Sequence, residues 1–347
     1  MPRSSSHLRG GLGGVAIAVI IGLVISPFAP HQPWHATFLT YVVAIVLQAV
    51  PFLLLGAVIG AAIESFIPTR WLPTMARRLG PWGLPAMVVV APIFPICECA
   101  VLGVGRGLLR RGLPLPHVLT YLIAAPILNP TVLASTWIAF GDPLPAFLRG
   151  LGGGMVALLI GWWVSTLAPT WCLRPRPLLA GFTAAPQEAI PLMVVPGSIA
   201  APGYGAAVKL DSDWREKGLR WCTTSLEHFL ELASWFLIGV ALAATLKTMI
   251  GTRLLEDLGG GVVSGPATMM VTAIVLSLCA EADAFVAASF TGFSLPALLA
   301  FLVLGPMLDL KLLLMYRSIF TVRFISALAA AMLVLVSAYI AGLTLLL

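Results

Sequence analysis

The sequence predicts an all-α polytopic membrane protein: two homologous halves arranged as inverted repeats, each with a re-entrant hairpin, plus an extra N-terminal helix. Three observations carry this reading. Of 347 residues, 59% are hydrophobic and 10% charged, and mean hydropathy is +1.01, whereas a soluble domain is nearer a quarter charged. Landmarks recur at a fixed interval: Cys99 and Cys279, Pro116 and Pro296, Pro126 and Pro306, and Asn129 and Asp309 are each 180 residues apart. Finally, two cysteine-bearing acidic stretches, PICECA (Pro95–Ala100) and SLCAEADA (Ser277–Ala284), interrupt apolar sequence at matching places. Ionisable groups inside a membrane segment are costly and by default mark a functional site.

Composition also excludes classes. The net charge of +6 comes from basic residues clustered between hydrophobic runs, which is the positive-inside pattern of a membrane protein and not a nucleic-acid-binding face. The five cysteines (Cys97, Cys99, Cys172, Cys222 and Cys279) form no secreted disulfide framework. No catalytic or cofactor-binding pattern is visible, so the chain reads as a transporter and not an enzyme.

In chain order, residues 1–35 hold an apolar run, Gly14–Phe28, behind Arg3 and Arg9. It is about a full span long and lacks a small-residue cleavage site, so it reads as a retained helix with its N-terminus in the cytoplasm of an inner-membrane protein. Residues 36–168 form the first repeat, with spans at Thr37–Ile63, Pro116–Phe140 and Ala146–Leu167. Residues 169–220, rich in Pro, Gly and charge, read as a cytoplasmic linker with a short interfacial helix near Trp214. Residues 221–347 form the second repeat, with spans at Glu227–Ile250, Leu295–Met315 and Ile325–Leu345.

Two apolar runs, Leu84–Gly105 and Ala267–Phe290, are not simple spans. The first holds Pro85, Pro92 and Pro95 before its acid and thiols, and the second carries Cys279, Glu281 and Asp283. Proline, glycine and acids together suit a broken segment lining a protein cavity. Charge counting favours re-entry. If both runs crossed fully, the basic residues would divide about evenly across the membrane, which no orientation rule favours. If both turn back, most lie on the cytoplasmic side and only Arg149, Lys247 and Arg253 fall outside. Three crossings per half then invert the second copy, and the hairpins approach from opposite faces.

The candidate substrate-binding residues are Cys97, Glu98, Cys99, Asn129, Cys279, Glu281, Asp283 and Asp309. Thiolates suit soft ions, and a transported ion needs incomplete, exchangeable ligation, so Cys97, Cys99, Glu281 and Asp283 are the candidate metal ligands. The alternative for the cysteines is that they are small residues packed where helices cross. Glu281 and Asp283 would face one way in extended backbone and splay on a helix. They read as proton carriers or ligands, or as acids capping a short helix. The stretches AAPILNP (Ala124–Pro130) and LGPMLDLK (Leu304–Lys311) break two spans, since a proline frees a carbonyl one turn back. Asn129 and Asp309 follow on the same face, as polar positions on unwound helices or, for Asp309, as a partner of Lys311 or Arg317.

These residues resemble the YraQ/ArsP-type predicted permease family. The resemblance rests on PICECA, on GLLRRGLPLPHVLTYLIAAPILNP (Gly107–Pro130), on SLCAEADAFVAASF (Ser277–Phe290) and on LAFLVLGPMLDLKLLLMYR (Leu299–Arg317). Glu98 stands where the family usually carries a small hydroxyl residue. The resemblance implies a permease for a metal, metalloid or thiophilic solute, with a second small membrane subunit. Expected partners are thus a small molecule or ion, membrane lipid and that subunit, with self-association left open. The rival readings are a membrane thiol oxidoreductase using Cys97 and Cys99, and a non-transporting scaffold or sensor subunit.

Overall fold

The computed structural model describes residues 33–68, 71–93, 97–167, 169–173, 214–249, 264–290 and 292–346. The helix expected at Gly14–Phe28, most of the linker, and Arg253 lie outside the described residues. Fourteen α-helices are described: α1 (Pro33–Phe66), α2 (Trp71–Leu79), α3 (Gly83–Val90), α4 (Glu98–Arg110), α5 (Leu115–Ile127), α6 (Pro130–Phe140), α7 (Pro143–Ser165), α8 (Pro169–Cys172), α9 (Trp214–Met249), α10 (Ser264–Leu276), α11 (Ala280–Ser289), α12 (Leu295–Leu304), α13 (Leu310–Tyr316) and α14 (Val322–Leu346). Among the described residues, five stretches are long and apolar enough to cross a membrane: Phe38–Phe66, Leu115–Phe140, Pro143–Ser165, Trp221–Thr245 and Val322–Leu346. The protein is an all-α polytopic membrane protein. Apolar side chains such as Leu47, Ile138, Phe147 and Val334 stay exposed, because lipid solvates them as well as a core would.

The Leu84–Gly105 run turns back. Gly83, at the start of α3, lies against His117 at the start of α5. The other arm, α4, ends in a tight turn at Gly112 (φ 82°) that leads directly into α5. The segment therefore enters and leaves at one end of the bundle, here the first end. Pro73 of α2 packs at that turn, so the Arg77–Arg78 pair is there too.

The Ala267–Phe290 run turns back from the opposite end. Helix α7 crosses antiparallel to α14: Trp163 stacks on Phe324 near the first end, and Tyr339 donates to the Leu148 carbonyl near the second. Since α13 leads into the start of α14, the α12–α13 pair runs from the second end to the first. The end of α10 lies beside the break in that pair, where Leu310 N–H reaches Ser277 Oγ (3.3 Å). Asp283, in the first turn of α11, lies against Gly305 at the same break. Met270 of α10 meets Ser337 of α14 on the second-end side of that break, and α11 leads into the start of α12, so both arms of this hairpin open toward the second end.

Two sequence expectations change. Trp214 does not begin a separate interfacial helix, because α9 runs unbroken from Trp214 to Met249. Arg149 is not an external loop residue. It lies inside α7 and is fully buried.

Close helix approach positions the first hairpin. Gly56 and Gly60 on α1 face Ala100, Gly103 and Gly107 on α4. A methyl on Gly103 would sit 2.6 Å from the Gly56 carbonyl oxygen. Small residues spaced by four let two backbones touch in lipid, where dispersion and not water exclusion drives association.

Candidate functional site

Four helices begin in the middle of the bundle. Cys97 is the N-cap of α4 and Cys279 that of α11, both in extended backbone and neither capping through its side chain. The 180-residue interval pairs Cys279 with Cys99, whereas the helix starts pair it with Cys97. Asn129 and Asp309 cap the other two. Asn129 Oδ1 accepts from Thr131 N–H (3.1 Å), and Asp309 Oδ1 accepts from Leu312 N–H (2.6 Å). The prolines explain the breaks, since Pro126 and Pro306 cannot donate backbone hydrogen bonds, and an Asn or Asp then satisfies the next helix's orphan donors. Ser277, at φ 44°, holds the tip of the second hairpin in the left-handed region that non-glycine residues rarely adopt.

The broken helix of each set reaches the hairpin of the other. Lys311 Nζ lies 2.6 Å from Glu98 Oε1, joining α13 to the first hairpin's tip. Thr131 Oγ1 donates to Glu281 Oε1 at 2.9 Å, joining α6 to the second. Lys311 also contacts Asp309 Oδ2 at 3.1 Å and donates to the carbonyls of Ser277 and Leu278, both at 3.1 Å. Glu98, Asp309 and Lys311 are each about 3% exposed or less, so each charge depends on the others: an unpaired buried ion is strongly destabilising.

Arg149 completes the junction. Its guanidinium donates to Thr136 Oγ1 (2.8 Å) and to the Ala280 carbonyl (3.0 Å), at the start of the helix whose first turn carries Asp283. Asp283 is 2% exposed and its Oδ2 has no hydrogen-bond partner among the described residues. Glu281 and Asp283 both sit in the first turn of helix α11 and splay: one meets Thr131, the other lies against Gly305. Neither is the cap residue.

A small cavity of about 60 Å³ opens at the junction, lined in part by Gln48, Cys97, Glu98, Cys99, Cys279, Glu281 and Lys311. Five of the eight sequence candidates therefore share one cavity. Asn129 approaches it through Thr131, Asp309 through Lys311, and Asp283 lies outside the lining. Of the four candidate metal ligands, Cys97, Cys99 and Glu281 line the cavity and Asp283 does not. Among the described residues, no three of His, Cys, Asp and Glu are grouped to hold a metal ion. All five cysteines carry free thiols.

Sequence reading undervalued Arg149, Lys311 and Thr131. The two cations carried a usable signal, a positive charge inside an apolar run. Thr131 carried none, because a hydroxyl beside a helix cap is ordinary. Glu231 of α9 pairs with Arg106 at 2.6 and 2.7 Å toward the first end. Nearby, Arg110 grips both oxygens of Glu64 at 2.9 Å.

The chain is similar to known proteins along most of its length. The chain is 33% identical over 298 residues to the UPF0718 protein YcgR of Bacillus subtilis, covering 85% of this chain and 93% of that one. It is 28% identical over 288 residues to a Streptococcus mutans protein named for a two-component membrane permease complex subunit, covering 81% of this chain and 86% of that one. The UPF0718 protein YraQ of Escherichia coli is 28% identical over 162 residues, covering 44% and 42% of the two chains. No solved structure matches. The predicted permease family ArsP_1 matches residues 34–345, and the chain belongs to that family.

Proposed function

We propose that this protein moves a small thiophilic, metal or metalloid solute across the cell inner membrane by alternating access, its two halves working as inverted repeats. The observation that carries the reading is the crossed pair of ties, Lys311 to Glu98 and Thr131 to Glu281. Hairpins entering from opposite ends and meeting beside broken helices are a recurring plan of secondary transporters, in which one half rocks against the other around a midplane site. In this reading Cys97, Cys99 and Cys279 supply soft contacts to the solute. Glu281, at the cavity, supplies charge or carries a proton, while Asp283 balances Arg149 behind it. The first end, which holds Arg77, Arg78, Arg110 and Arg111, faces the cytoplasm by the positive-inside pattern.

The Streptococcus mutans relative's name supports a second membrane subunit for this chain as well.

The test is a growth comparison of a deletion strain with its parent across zinc, copper, arsenite and organoarsenicals, followed by flux of the responsive solute in vesicles. Cys97→Ser and Cys99→Ser should each reduce flux at least tenfold, because a hydroxyl does not replace a thiolate for soft ions. Cys172→Ser and Cys222→Ser should leave it within twofold. Burial pushes the Cys172 thiol up to about 11, so it is a slow thiol and a fair control. Equal, mild effects at all four positions would overturn the soft-ligand role, and a strain indifferent to every solute would overturn the proposed substrate class.

A further inference from the structure

The ammonium of Lys311 is coordinated as a bound monovalent cation would be. Two carboxylate oxygens, from Glu98 (2.6 Å) and Asp309 (3.1 Å), and two carbonyl oxygens, from Ser277 and Leu278 (3.1 Å each), surround it. The ligands come from three separate places: the tip of one hairpin, the tip of the other, and the cap of α13. The carbonyls point inward because α10 ends at Leu276 and α11 begins only at Ala280, with Ser277 turned into the left-handed region. Carboxylates plus carbonyls released at a helix break are the ligand chemistry of hard cations in membrane proteins.

Two further observations support the cage. Glu98 is 2% exposed and Asp309 1%, so both carboxylates face the ammonium out of bulk water. Gly239 of α9 packs on the Lys311 backbone, where a methyl would lie 2.8 Å from its Cα, fixing the side chain's entry from one direction. The position 180 residues earlier holds Thr131, a neutral hydroxyl, so the matching point of the other half carries no lysine.

We propose that Lys311 is a built-in cation, filling an oxygen cage that would otherwise take a free sodium, potassium or small ammonium ion, and that its hold on Glu98 keeps the hairpin tips together. The part played in transport rests on the permease reading; the cage itself does not. It follows that the wild-type protein needs no free monovalent cation at this position. Removing the ammonium should turn the cage into a cation site.

The experiment uses the full chain purified in detergent, with melting followed in N-methylglucamine chloride and in sodium, potassium or methylammonium chloride at equal ionic strength. Wild type should melt at the same temperature in all four salts. Lys311→Ala should melt lower in N-methylglucamine and recover saturably in at least one small cation, methylammonium being the nearest mimic. Adding Glu98→Gln, which keeps the shape and removes an anionic ligand, should raise the half-saturating concentration at least tenfold. If Lys311→Ala does not fold in N-methylglucamine, purification in methylammonium should recover it. A variant that melts alike in every salt, or folds in none, overturns the proposal, as does a wild type that itself requires sodium or potassium. Melting does not depend on transport, so a cage that behaves as described in a protein that moves no solute would sink the permease reading and leave this one standing.

Discussion

Replacing Arg149 with Leu should be among the most damaging single changes in the molecule. The side chain is fully buried on α7, and it donates across the bundle to the Ala280 carbonyl at 3.0 Å and within its own set to Thr136 at 2.8 Å. Leu fills much of the volume but leaves the Ala280 carbonyl without its donor and removes the cation at the start of the helix whose first turn holds Asp283, a buried acid with no partner for its Oδ2 among the described residues. Removing one member of a buried charged group costs about 3–5 kcal/mol, and the lost charge-assisted hydrogen bond lies inside that figure and is not added to it. Asp283→Asn made on top of Arg149→Leu removes the stranded charge, so the double variant should be more stable than Arg149→Leu alone, with a coupling of about 1–3 kcal/mol. The assay is reversible unfolding of the four proteins of the cycle in mixed micelles. Arg149→Leu within about 0.5 kcal/mol of wild type, the range of ordinary surface changes, would refute the reasoning. So would a double variant no more stable than the single one.

Gly103→Val should separate α1 from α4, because even a methyl there would sit 2.6 Å from the Gly56 carbonyl oxygen. A loss of about 1–3 kcal/mol is expected from overpacking, read in the same unfolding assay, while Val at Gly292, which has open space around it, should change little. Arg106→Lys keeps the charge but loses the two-pronged grip on Glu231. With Glu231 36% exposed, solvent screening limits the loss to about 1 kcal/mol, and Arg106→Ala should cost more because the Ser318 carbonyl also loses its donor.

Much of this architecture was legible in the chain. Hydrophobic runs mark the spans, prolines mark the breaks at Pro126 and Pro306, and acids beside cysteines mark the hairpin tips. What sequence could not supply was partnership. Lys311 is two residues from Asp309 and does pair with it, but its shorter contact is with Glu98, more than two hundred residues away. Charge counting placed Arg149 outside because a counting rule cannot tell an interfacial arginine from one buried against a carbonyl. The acids of SLCAEADA could face one way or two, and the early start of α11 at Ala280 decides for two.

The central claim is that the two hairpins enter from opposite faces and meet between them. Three single cysteines, replacing Arg77, Arg110 and Gly292 in a background without the five native cysteines, test it most directly. A membrane-impermeant maleimide applied to sealed, oriented vesicles should label positions 77 and 110 from the same face and position 292 from the other. Labelling of 77 and 110 from opposite faces would mean that the first run crosses the membrane, and the meeting of hairpin tips would fall with it.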